Sequence, residues 1–89
     1  MTSVVVRLAA LLQSYTRGQS ELRASGDTLG QVLDDLDRRF PGIRFRVVDE
    51  QDRVRRHMRC FVNEFDTRTV GTLVRDGDEI YIVGALSGG

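Results

Sequence analysis

Ser25-Gly26-Asp27-Thr28-Leu29-Gly30-Gln31-Val32-Leu33-Asp34-Asp35-Leu36-Asp37-Arg38-Arg39-Phe40-Pro41-Gly42 carries the one long apolar repeat of helical period in this 89-residue chain. Leu29, Val32, Leu33, Leu36 and Phe40 recur at three- and four-residue spacing, which gathers them into a single stripe facing a core. Asp27 is the expected N-cap, because a carboxylate there can accept from the unpaired N–H groups of the first turn. Asp34 with Arg38 and Asp35 with Arg39 stand four apart on the outer side, and Pro41-Gly42 ends the helix.

The segments on either side read as strands. Val4-Val5-Val6-Arg7-Leu8 is β-branched and alternates, with Val4, Val6 and Leu8 on one face and Val5 and Arg7 on the other. Leu11, Leu12 and Tyr15 lead to the turn-like Thr16-Arg17-Gly18-Gln19, and Ser20–Ala24 alternates as a second strand, so the two form a hairpin with a long loop. After the helix, Ile43–Val48 predicts a short helical turn, followed by a mobile loop through the polar run Asp49–Arg53. Met58–Phe65 resumes strand character, placing Met58, Cys60 and Val62 inward and Arg59, Phe61 and Asn63 outward. Thr67–Leu73 reads as a connector, and Arg75-Asp76-Gly77-Asp78 as a tight turn into a last strand, Glu79–Gly84, with Ile80 and Ile82 inward.

This order of elements predicts an α+β fold: a mixed four- to five-stranded sheet with one main helix packed across it, the arrangement of a β-grasp domain. Residues 1–84 are the expected domain and residues 85–89 a flexible tail.

Composition narrows the function. Thirteen basic residues balance thirteen acidic ones, which argues against a nucleic-acid partner, whose phosphates call for excess positive charge. All thirteen bases are Arg, so the chain offers no lysine on which to receive an isopeptide bond, and this usage fits a GC-rich genome. The N-terminus lacks the pattern of a signal peptide and no apolar run is long enough to span a bilayer, so the expected location is cytoplasmic and away from membranes. A single Cys and a single His fall short of a zinc site.

Few side chains suggest catalysis. Cys60 sits on the inward side of its strand and reads as a small apolar residue, and His57, three residues away, falls on the opposite face. The acid pairs Asp34/Asp35 and Asp76/Asp78 are explained by helix solubility and turn chemistry. Arg53, Arg55, Arg56 and Arg59 form a charge run that reads either as a solvated loop or as a docking surface. On the outer side of the sheet, Phe61, Tyr81 and Val83, flanked by Arg59, form an exposed patch suited to a partner, unless the Ile43–Val48 segment folds over it. No intrinsic catalytic residue is expected.

The strongest feature is Gly84-Ala85-Leu86-Ser87-Gly88-Gly89. Without Cβ atoms, Gly88 and Gly89 can thread a narrow channel, with Ala85, Leu86 and Ser87 as the approach. A terminal carboxyl on Gly89, with a pKa of about 3.5, is ionised at neutral pH and can attack the α-phosphorus of ATP.

With these residues in place, the chain resembles the MoaD/ThiS family of ubiquitin-like sulfur carriers over essentially its whole length. The resemblance rests on Ser25-Gly26-Asp27-Thr28-Leu29-Gly30, Phe61-Val62-Asn63, Asp76-Gly77-Asp78-Glu79 and Ala85-Leu86-Ser87-Gly88-Gly89. It implies a partner adenylyltransferase, similar to the ubiquitin-activating enzymes, that uses ATP and magnesium to adenylate Gly89. Sulfide or a persulfide then displaces AMP to leave a thiocarboxylate, and the carrier itself binds no cofactor. The segment Pro41–Arg59 and the stretch Val62–Arg68 resemble the actinobacterial CysO type. For that type the resemblance implies a cysteine synthase as acceptor and a zinc-dependent peptidase that frees the product. Gly84-Ala85-Leu86-Ser87 departs from a more usual proline-containing approach, which leaves open an acceptor that makes a thiosugar or another secondary metabolite. Two other readings fit the same pattern: the small subunit of molybdopterin synthase and a ubiquitin-like protein modifier.

Overall fold

In a computed structural model, residues 2–84 are described. The β-branched Val4-Val5-Val6 run forms β1, Ser3–Leu8, whose alternate residues Val4, Val6 and Leu8 are buried. β1 pairs on one side with β2, Glu21–Ser25, in antiparallel register, Val6 facing Leu22. On its other side it pairs in parallel with β5, Glu79–Gly84, Val6 facing Ile80. β5 is held in turn by β3, Met58–Val62, antiparallel with Cys60 facing Ile82, and β4, Phe65–Thr67, closes the edge. The five-stranded sheet thus runs β2-β1-β5-β3-β4, a mixed sheet of ubiquitin-like β-grasp form.

α1, Leu29–Arg39, lies across the inner face and buries Leu29, Val32, Leu33 and Leu36 completely, with Phe40 packed at the margin. Its N-cap is Thr28 rather than Asp27. Thr28 is in extended backbone and its hydroxyl accepts from the Gln31 N–H at 3.2 Å, while the Gln31 side chain accepts from the Asp27 N–H at 2.8 Å. The T-x-x-Q spacing is a capping box whose return bond falls one residue early. The Asp27 carboxylate instead accepts from the Thr2 hydroxyl. The first helical N–H groups, of Leu29 and Gly30, donate to the carbonyls of Thr72 and Val70, so the 70–72 loop completes the helix end.

The expected i,i+4 pairs are half realised. Asp35 bridges both Arg38 and Arg39, and Asp34 reaches Arg44 at 2.8 Å instead of Arg38. Asp35 also accepts from the Ser25 N–H, which ties the helix to the end of β2. Burial raises its affinity for a proton, but the Ser25 bond and the two guanidiniums outweigh that and hold its pKa below the ordinary Asp value.

Three connections differ from the sequence expectation. Ala10–Thr16 is a 3₁₀ helix that buries Leu12 and Thr16, not an open loop. The 43–57 segment contains α2, Ile43–Val47, and its continuation is anchored because Val48 and Val54 are buried and bridge each other. Ile43, Val47 and Val48 join the inner core, so this segment does not cover the outer face of the sheet. The expected Met58–Phe65 strand breaks at a two-residue turn. Asn63 takes a left-handed φ of 57°, and the chain returns as β4, so part of the expected connector is an edge strand. No helix among the described residues is long and apolar enough to cross a membrane.

The capping assignment can be measured directly. Thr28→Ala should cost about 1 kcal/mol in urea denaturation, the ordinary worth of an N-cap hydroxyl. Asp27→Ala should cost clearly less, because its carboxylate makes only an exposed hydrogen bond.

Candidate functional site: the end of strand β5 and the outer sheet face

β5 lies between two neighbours, so its position is among the most constrained in the sheet. Met58 faces Gly84 across β3–β5, and the Ala9 N–H donates to the Ile82 carbonyl at 2.9 Å. The Leu11 side chain, 42% exposed, lies so close to Gly84 that a Cβ there would overlap it. Ala85, Leu86, Ser87, Gly88 and Gly89 lie outside the described residues. What the fold positions is their point of departure, at the end of a strand paired on both sides.

At the start of β5, Asn63 fastens the 63–64 turn to the strand. Its backbone N–H donates to the Glu79 carbonyl at 2.6 Å, its side-chain oxygen accepts from the Glu79 N–H at 3.0 Å, and its amide nitrogen donates to Asp78 at 3.1 Å. The Asp76-Gly77-Asp78 turn is bound to β1 as well, the Ser3 N–H donating to Asp76 and the Gly77 N–H to the Ser3 carbonyl. These acids have structural work, as their turn-like spacing implies.

The outer face brings together the residues expected there. Phe61 and Tyr81 are directly opposite, as are Arg59 and Val83, and Phe61, Tyr81 and Val83 are half-buried with nothing of the 43–48 segment above them. Arg59 pairs with Asp66 at 3.2 Å. Arg7, opposite Tyr81 on the other flank, approaches the Tyr81 ring at 5.9 Å and pairs with Glu21 and Glu79. The Tyr81 hydroxyl donates to Glu79 at 2.7 Å, which raises its pKa above that of a free phenol. The result is an aromatic pair bordered by ion-paired charges.

Cys60 is fully buried and faces Ile82 across the strand pair. Burial, with a smaller effect of Asp66, pushes its thiol up to about 12. A thiol that stays protonated at neutral pH is a poor nucleophile, so Cys60 belongs to the core. His57 is exposed just before β3 and does not meet it. His57 instead lines a hollow with Tyr15 and Phe45 that the sequence reading did not anticipate. No local sequence signal marks it, because its walls come from the 3₁₀ helix, α2 and the approach to β3.

Residues 6–89 match the model of the ThiS family. Sulfur carrier protein CysO of Mycobacterium tuberculosis is 37% identical over 92 residues, covering 98% of this chain and 99% of its own. The crystal structure of that protein superposes with a TM-score of 0.87 at 34% identity, covering 93% of this chain and 99% of its own. The Amycolatopsis orientalis BexX/CysO complex contains a chain that matches with a TM-score of 0.88 at 31% identity, covering 97% and 99%. The small archaeal modifier protein 1 of Methanosarcina acetivorans matches at 0.82 and 28% identity, covering 100% and 98%. The chain belongs to the ThiS family of small ubiquitin-like proteins and is a homologue of the CysO sulfur carrier.

The buried thiol gives a check on the site. Native protein at neutral pH should react with a thiol reagent orders of magnitude more slowly than protein unfolded in guanidinium. Because the folded pKa is raised, stability is intact below the unfolded pKa and should fall as pH rises from about 9 toward 12. Cys60→Ala should flatten that alkaline decline in a pH series of denaturation curves.

Proposed function

We propose that this protein carries sulfur on the C-terminal carboxylate of Gly89. The observation that carries the reading is the family match, which runs through Gly89 on a chain that aligns with CysO over nearly the whole of both proteins. The described fold supports it. The one thiol is sealed in the core, and the strand that leads to residues 85–89 is held on both sides.

In the proposed cycle, a partner adenylyltransferase uses ATP and magnesium. The Gly89 carboxylate attacks the α-phosphorus, pyrophosphate leaves, and an acyl-adenylate forms. A sulfide or persulfide sulfur then attacks the acyl carbon and AMP leaves, giving the thiocarboxylate when reductant supplies the electrons that a persulfide requires. The acceptor enzyme consumes that sulfur and the carboxylate returns. This protein supplies no catalytic side chain. Its small residues Gly88 and Gly89 pass into each enzyme behind Ala85, Leu86 and Ser87, while the Phe61, Tyr81 and Val83 face, with Arg59, docks against the enzyme surface. The acceptor is a cysteine synthase or an enzyme of a sulfur-containing secondary metabolite, a zinc-dependent peptidase releases product in the former case, and the cycle runs in the cytoplasm.

Incubation with the adenylyltransferase, ATP, magnesium and a sulfur source should exchange one oxygen for sulfur in the intact mass, and deletion of Gly89 should abolish the exchange. An unchanged mass, under conditions that convert a CysO control, would sink the proposal. Phe61→Ser should raise the KM for the carrier with little change in kcat, read by pyrophosphate release. The likeness to an archaeal modifier protein favours one further use, attachment through Gly89 to other proteins. Higher-mass conjugates that vanish on deletion of Gly89 are its signature.

A further inference from the structure

The balanced net charge of the chain conceals an uneven distribution. Among the described residues, Arg7, Arg38, Arg39, Arg44 and Arg59 form ion pairs with carboxylates and the other eight arginines form none, among them Arg46 and Arg55. Both line a hollow of about 300 Å³ whose other walls are Tyr15, Gly42, Phe45 and His57. Two guanidiniums, an imidazole and two aromatic rings face this space, and no carboxylate is among its lining residues.

Arg55 is already fixed in place. Its Nε donates to the Phe45 carbonyl at 2.7 Å, its guanidinium carbon lies 4.4 Å from the centre of the Phe45 ring, and its backbone N–H donates to Val47. The terminal nitrogens are therefore presented without the entropy cost of ordering a free arginine. Phe45, 61% exposed, and Tyr15 offer apolar walls beside that charge. The nearby acids Asp37, Asp49, Glu50 and Asp52 lie along a separate hollow that shares Phe45 and Gly42 and contains Arg44. The Asp49 carboxylate accepts from the Arg53 and Gln51 N–H groups, and it also feels the positive charge of Arg55 without forming an ion pair with it.

The hollow adjoins the departure point of residues 85–89. The Arg55 carbonyl accepts from the Met58 N–H, and Met58 faces Gly84 across the strand pair. Tyr15 in the hollow and Leu11 against Gly84 belong to the same 3₁₀ helix. They are four residues apart, about 8 Å at the rise of such a helix. An enzyme that receives Gly89 must place its own surface beside this edge.

We infer that the Arg46–Arg55–Tyr15–Phe45 hollow docks an acidic loop, a carboxylate flanked by an apolar side chain, of the adenylyltransferase that acts at Gly89. The carboxylate pairs with the two guanidiniums and the apolar neighbour packs on the two rings. This surface lies on the edge beside the root of the tail and adds to the Phe61–Tyr81 face. The inference rests on the carrier function proposed above.

The test compares wild type, Arg46→Glu/Arg55→Glu and the milder Arg46→Gln/Arg55→Gln, each confirmed folded by circular dichroism, in pyrophosphate release with the adenylyltransferase. Arg75→Glu, before the far end of β5, shifts net charge by as much as Arg46→Gln/Arg55→Gln does, so it is the net-charge control for that variant and should keep the wild-type KM. Charge reversal should raise the KM for the carrier by about tenfold with kcat unchanged, the neutral variant should raise it less, and both should flatten the salt dependence of kcat/KM. A wild-type KM and salt dependence in both variants overturns the inference alone, as does a loss confined to kcat. A wild-type chain that is never adenylated overturns the carrier function, and this inference with it.

Discussion

The parallel pairing of β1 with β5 is the constraint on which the rest of the fold depends. Parallel neighbours cannot be joined by a tight turn, so the chain must cross over between them, and α1 is carried across the sheet in that crossover. Inserting β5 between β1 and β3 buries Ile80 and Ile82 completely. It also places the last strand inside the sheet, where both its edges are hydrogen-bonded. Pulling on residues beyond Gly84 therefore loads the centre of the domain rather than a loose edge.

That arrangement divides the molecule between a packed holder and a chemical terminus. The inner face is an apolar core that absorbs the only thiol, and the outer face pairs Phe61 with Tyr81 among ion-paired charges. The aromatic pair and the arginine-lined hollow, proposed as contact surfaces, both lie near the C-terminal half of β5 or its neighbours. On the carrier reading the domain needs no active site of its own.

The α+β class, the core stripe of α1 and the inward positions of β1, β3 and β5 were legible in the sequence because each follows from a period of two or of 3.6 residues. The burial of Cys60 and the shared outer face of Phe61 and Tyr81 followed from the same alternation, whereas their direct opposition is set by the β3–β5 register. The misreadings arose where tertiary contacts decide. Thr28 caps α1 because its extended backbone aims the hydroxyl at Gln31, whereas Asp27 is drawn to Thr2. Val48 and Val54 are tied down by a bridge across a polar loop, which no local pattern signals. The turn at Asn63 depends on bonds to Asp78 and Glu79 from a distant strand, so a single long strand was the local expectation. The hollow joins residues from a 3₁₀ helix, α2 and the approach to β3, and such a convergence has no sequence period.

The central claim is that sulfur chemistry belongs to the Gly89 carboxyl and that the buried Cys60 takes no part. Locating the added sulfur by fragmentation mass spectrometry of the sulfur-loaded protein tests this most directly. The account predicts sulfur in place of an oxygen at Gly89 and an unmodified Cys60; sulfur carried as a persulfide on Cys60, with an unchanged Gly89 carboxyl, would contradict it.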